Sequence, residues 1–98
     1  MKMLKDIQVK LATKLPELKK KYPISKLALF GSITRNDFKP KTSDIDIMVE
    51  FDGDIGWEYF DLVWEIQELF PGYKVDIVSK GAIQPHYWKH IKGDLQYV

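Results

Sequence analysis

Apolar positions along the chain recur with three distinguishable rhythms. Over residues 3–21, Leu4, Ile7, Leu11, Leu15, Leu18 and Tyr22 return at spacings of three and four, the mark of one apolar helix stripe. Pro16 falls inside that stripe and lacks the amide that a helix interior uses, so a kink or break is expected there; Pro23 ends the element. The run Lys26-Leu27-Ala28-Leu29-Phe30 reads as a buried strand closed by Gly31. Residues 45–51, Ile-Asp-Ile-Met-Val-Glu-Phe, give a second strand, and Asp52-Gly53-Asp54 a turn. Residues 56–70 give a second helix, stopped by Pro71-Gly72, and 73–78 a third strand. Residues 80–92 read as mostly helix, restarted near Pro85, with Gly93 as its C-terminal cap. A short extended tail runs from Asp94 to Val98. The order α-β-β-α-β-α predicts an α/β (α+β) fold, a small mixed β-sheet flanked by helices.

The helix at 56–70 is apolar around most of its circumference: Trp57, Tyr59, Phe60, Leu62, Val63, Trp64, Ile66, Leu69 and Phe70. A small domain cannot cover all of them, so part of this helix is expected to be exposed as an interface, with a second copy of the chain as one possible occupant. Trp64, Tyr87 and Trp88 are expected to pack rather than to stack on bases.

Composition narrows the function. The 98 residues predict one domain spanning 1–98. Zero cysteines remove thiolate metal sites, disulfides and a cysteine nucleophile. The opening Met-Lys-Met-Leu-Lys-Asp lacks the apolar stretch of a secretion signal, and no run is long enough to span a membrane, so a cytoplasmic protein is expected. The net charge of +1 hides an asymmetry: residues 1–43 carry ten Lys and Arg35 against Asp6, Glu17 and Asp37, while 44–98 carry four Lys against 11 acids. That is not the distribution of a DNA-binding domain, and no DNA is expected. It suits a site that holds a polyphosphate beside a divalent cation, and it also suits solvated helix faces of opposite charge.

Candidate chemistry concentrates in Gly31–Val49. Asp44 and Asp46 stand two apart on a predicted strand, so their carboxylates project from one face while Ile45 and Ile47 face the core. Asp is disfavoured in strands, and two adjacent carboxylates repel unless a cation lies between them. One or two Mg²⁺ ions, which prefer oxygen ligands and leave positions open for phosphates, account for the pair. Asp76, alone among Val75, Ile77 and Val78, is the candidate third ligand; Glu50, four residues beyond Asp46, competes for that place. Gly31-Ser32, directly after a strand, allows a sharp turn and a phosphate close to the backbone. Arg35 can reach a phosphate or hold Asp37, and Ser43 can brace the loop before Asp44.

Together, Gly31-Ser32-x-x-Arg35-x-Asp37, Ser43-Asp44-x-Asp46 and Val75-Asp76-Ile77-Val78 resemble the minimal nucleotidyltransferase (MNT) family of the DNA polymerase beta-like superfamily. Asn36 departs from the family's frequent Gly after the Arg. The resemblance implies a nucleotidyltransferase-like fold and ATP with Mg²⁺. It implies Gly31, Ser32, Arg35 and Ser43 as nucleotide-binding residues, Asp44 and Asp46 as ligands of both metals, and Asp76 as ligand of the catalytic metal that helps to activate the acceptor hydroxyl. It also implies a HEPN-domain partner, of which the MNT protein is the antitoxin, transferring AMP to a partner tyrosine. The alternative is a non-catalytic antitoxin that masks its partner through the helix 56–70.

Three weaker signals are set aside. His86 and His90 share a helix face without a third ligand, Asp52-Gly53-Asp54 lacks the rest of a calcium loop, and Lys19-Lys20-Lys21 reads as a solvated helix end. An Asp-x-Asp glycosyltransferase would need a far larger fold.

Overall fold

A computed structural model of the chain describes residues 2–39 and 41–98. The elements follow in the order α1 (Lys2–Lys21), β1 (Ile24–Phe30), β2 (Ile45–Phe51), α2 (Glu58–Glu68), β3 (Val75–Ser79), α3 (Pro85–Ile91) and β4 (Gln96–Tyr97). Three 3₁₀ turns join them, at Gly31–Ile33, Lys80–Ala82 and Lys92–Asp94. The strands form one mixed sheet ordered β3-β2-β1-β4. β1 runs antiparallel to β2 and β4, and β2 parallel to β3.

The near-continuous apolar run of β1 reflects its place inside the sheet, buried on both faces. Leu27 and Leu29 join Ile45, Ile47 and Val49 beneath α1 and α2, where Leu11, Leu18, Leu62 and Ile66 complete the larger core. Ala28, Phe30 and Met48 face the other way, onto Ile91 and Trp88 of α3. A register irregularity between Ile24 and Lys26 lets Ile24 share the core of Leu27 and Leu29, although strict alternation would turn it outward. Truncating a fully buried leucine such as Leu29 to Ala costs about 2–5 kcal/mol in a core of this kind.

Several expectations hold and several are corrected. The mixed α/β class, the β2 boundaries and the restart of the last helix at Pro85 agree with the sequence reading. α1 passes Pro16 unbroken, because Leu11, Leu15 and Leu18 anchor both halves to the same core. β1 begins at Ile24 and β3 spans 75–79, each set by ladder pairing rather than by apolar content. Gly93 is not a left-handed cap: it lies in the Lys92–Asp94 3₁₀ turn, and only Gly31 and Gly72 among the glycines have positive φ. Trp88 packs as expected, whereas Trp64 and Tyr87 are exposed. The tail does close as an extended segment, Ala28 and Leu29 pairing with Tyr97 and Gln96.

Candidate active site

β2 is the spine of the site. Asp44 lies one residue before it and Asp46 is its second residue, on the side of the sheet that Met48 shares with α3. Parallel pairing sets Asp46 directly beside Asp76 of β3. Neighbouring strands lie about 4.8 Å apart, and two oxygens on opposite sides of an Mg²⁺ ion are about 4 Å apart, so the register suits a bridging cation. The carboxyl of Asp46 is half-buried and pushed up to about 6, by desolvation first and then by the charges of Asp76 and Asp44; Arg35 opposes the shift. Among the described residues, no three acidic or histidine side chains already converge as a metal cluster. The donor set itself fits Mg²⁺: three hard carboxylates on adjoining backbone positions that repel one another.

Gly31 is shaped by Asp46. Its φ is +77°, and a Cβ placed there would stand 2.3 Å from Asp46 Oδ2. Glycine is required twice over, for the backbone conformation and for the space the carboxylate takes. The Gly31 carbonyl accepts from the amides of Thr34 (3.1 Å) and Arg35 (3.2 Å) and from the Thr34 hydroxyl (2.9 Å), tying the turn that carries Ser32 past the end of β1. Among the described residues, Asn36 is the non-glycine residue of positive φ, +64°. Asn tolerates that region better than other side chains, which is why it can stand where a glycine would serve.

Arg35 and Ser43 are both engaged. Arg35 Nη1 donates to Asp94 Oδ2 at 2.8 Å and Nε lies 3.6 Å from Asp37 Oδ2; these carboxylates, Asp94 first, push the guanidinium's pKa further up. Ser43 Oγ accepts from the Lys39 amide at 3.0 Å, and the Ser43 amide donates to the Lys39 carbonyl at 2.8 Å, so this serine braces the loop before Asp44. Lys74 Nζ stands 4.0 Å from Asp44 Oδ2 at the rim. Glu50, the competitor to Asp76, sits at the far end of β2, where Tyr97 (2.9 Å) and Lys80 (3.4 Å) donate to it. His86 and His90 are exposed on α3.

Two features had no local signal. Asp94 is 59 residues from the arginine it holds. The second is a trough of about 710 Å³ that starts one residue beyond Asp76, its walls including Tyr59, Ile77, Ile83, His86 and Tyr87. It follows the free edge of β3. Residues 74, 76 and 78 turn toward β2 in the ladder, which leaves Val75, Ile77 and Ser79 facing outward. The Tyr59 hydroxyl and Gln67 Nε2 reach the outward carbonyls of Ile77 and Val75 at 3.5 Å each. Burial, then the charge of Asp76, push the Tyr59 phenol up.

Residues 11–98 match the model of the Nucleotidyltransferase domain family. This chain belongs to that family. A Methanocaldococcus jannaschii protein provisionally named a protein adenylyltransferase is 42% identical over 100 residues, covering all of both chains; a second from that organism, similarly named, is 40% identical over 102, again covering both. Protein adenylyltransferase MntA of Thermococcus cleftensis is 29% identical over 95 residues, covering 97% of this chain and 95% of its own. A crystal structure of a protein from Sulfolobus solfataricus, provisionally a nucleotidyltransferase, superposes with a TM-score of 0.52 at 24% identity, covering 96% of this chain and 84% of that one, and shows the same fold. The chain is thus a minimal nucleotidyltransferase, an enzyme with a nucleotide substrate, as the resemblance of its motifs implied. Within this nucleotidyltransferase, the fold draws Gly31, Asp44, Asp46 and Asp76 to one end of the β1–β2–β3 ladder, with Ser32 and Arg35 on the turn that follows Gly31. Ser43 stands one step back as a brace. Among the described residues no helix is long and apolar enough to cross a membrane.

Proposed function

We propose that this nucleotidyltransferase moves AMP from ATP onto a protein hydroxyl, a tyrosine of a cognate HEPN-domain toxin, and so acts as its antitoxin. The carrying observation is the register of Asp46 beside Asp76, with Asp44 two residues earlier and Gly31 clearing the space. Asp44, Asp46 and Asp76 would hold Mg²⁺. When bound, the ion stabilises charge on the entering and leaving oxygens of the transfer. Gly31 and Ser32 bring backbone and hydroxyl donors to the triphosphate, and Arg35 adds a cation beside them. The acceptor oxygen forms a bond to the α-phosphorus, the bond from that phosphorus to the bridging oxygen breaks, and pyrophosphate leaves. The acceptor proton passes to the Asp76 carboxylate and on to solvent. The trough beside Asp76 is roomy and aromatic enough to seat a tyrosine side chain.

The reading is tested with ATP labelled at the α-phosphate, Mg²⁺ and the HEPN-domain protein. Label is expected on the partner, and none with Asp44→Ala/Asp46→Ala. Undiminished labelling by the double variant would refute the assignment. The exposed Trp57, Phe60 and Trp64 favour a second reading, neutralisation by masking alone. It predicts that the aspartate variants still neutralise the toxin and that charged residues at Trp57 or Trp64 do not.

A further inference from the structure

The outer face of α2 carries a pattern that nucleotide transfer does not use. Trp57, Phe60 and Trp64 are 85%, 63% and 62% exposed, at spacings of three and four that form one stripe, and the Trp57 and Phe60 rings stack at 5.8 Å. From Asp52 to Tyr73 the chain has six acids and no base. Of these, Glu65 is taken by Lys21, Lys14 and the Tyr22 hydroxyl of its own fold. Glu58, Asp61 and Glu68 make no ion pair among the described residues. At 100° per residue, Trp57 and Trp64 centre the outward face, with Asp61 and Glu68 on one flank and Phe60 on the other.

A second copy is a poor occupant. Two copies meeting antiparallel through this face would set acid flank against acid flank, and a parallel pairing would lay the acids on the partner copy's Phe60 flank, where α2 offers no cation. The other exposed large apolar side chains among the described residues, Val9, Tyr73, Tyr87 and Tyr97, are scattered over separate elements and offer no matching stripe. The three aromatics expose on the order of 450 Å² of apolar surface. That is well short of the roughly 800 Å² each partner gives to a standard interface, but it suits a single helix laid along a stripe.

We propose that α2 is a docking rail for a basic amphipathic helix of a partner protein, apolar anchors over Trp57, Phe60 and Trp64 and lysines or arginines over Asp61, Glu68 and Glu58. The rail works without the catalytic carboxylates, so its test separates from that of AMP transfer. The probe is a synthetic helix of about five turns with leucine on one face and lysine elsewhere, against a twin carrying glutamate for lysine. Binding is read by calorimetry and tryptophan emission. The lysine helix is expected to bind at least tenfold tighter than its twin and to weaken steeply with salt. Asp61→Lys/Glu68→Lys should reverse that preference, Trp57→Ser/Trp64→Ser should lose at least tenfold in affinity, and Asp46→Asn should bind like the parent. Equal binding of the two helices, or an unchanged preference in the charge-reversed variant, overturns the proposal. A Trp64-dependent dimer in sedimentation of the chain alone also overturns it, by giving the face to a second copy.

Discussion

The Asp46 carboxylate occupies the space that a side chain at residue 31 would need, 2.3 Å from where its Cβ would be. One atom type at one position therefore decides whether the central carboxylate can stay in place. Gly31→Ala pays twice: about 1–2 kcal/mol for a side chain at positive φ, and the displacement of Asp46. Activity is expected to fall by at least about 100-fold, since catalysis degrades steeply when a positioned group shifts by an ångström. Tm is expected to fall by about 5–10 °C. Label transfer from ATP and a thermal melt check the two effects, and near-parental activity would show that Asp46 need not stand where it does.

Asp46 should destabilise the metal-free protein at neutral pH. Its folded-state value is about 6 against 3.8 unperturbed, so the folded state holds the proton more tightly. Ionising it erodes stability as pH rises from below 4 to above 6. The full shift discounted for half-exposure leaves about 1–2 kcal/mol. Asp46→Asn is expected to be more stable than the parent by that amount at pH 8, with the gain gone at pH 3.5. Mg²⁺ should stabilise the parent and not the variant. Urea melts at both pH values decide it, and a variant weaker than its parent at pH 8 in metal-free buffer would be the wrong sign.

Asn36, at φ +64°, separates backbone need from side-chain role. Asn36→Gly should lie within about 0.5 kcal/mol of the parent, and Asn36→Val should lose about 1–2 kcal/mol because a β-branched residue resists that region. Denaturant midpoints measure both; a Val variant as stable as the Gly variant would remove the conformational argument.

Arg35 and Asp94 form an exposed pair, and such pairs hold folds together weakly, at about 0–1 kcal/mol. Arg35→Ala and Asp94→Asn should therefore melt within a few degrees of the parent. If Arg35 serves the triphosphate, only Arg35→Ala should raise the KM for ATP, by about tenfold, in line with the loss of one charge-assisted hydrogen bond. Equal kinetic losses in the two variants would mean that the pair does no more than tie the turn to the tail.

Much of this site is local enough to read along the chain. The Asp44–Asp46 spacing puts two acids on one face because strand side chains alternate, whatever surrounds them. Gly31 announces its turn by following an apolar strand. Asp76 is legible as a lone charge in an apolar run, and it ranks ahead of Glu50, which stands at the end of its strand; the β2–β3 register adds that Asp76 lies beside Asp46 while Glu50 is taken by Tyr97 and Lys80. The overload of α2 was visible as too many aromatics for one face; which of them stay outside was not.

Short-range rules act between neighbours in the chain, so the sequence alone settled the element order, the mixed α/β class, the paired aspartates and the glycine turn. What lies far apart in sequence meets only when strands find their register: Asp46 with Asp76, Arg35 with Asp94, the Asp46 carboxylate with the bare Cα of Gly31. Those meetings were decided by packing. Burying Ile45, Ile47 and Val49 on one face of the sheet fixes the register of β2, and the same choice turns its aspartate to the other face, beside Asp76.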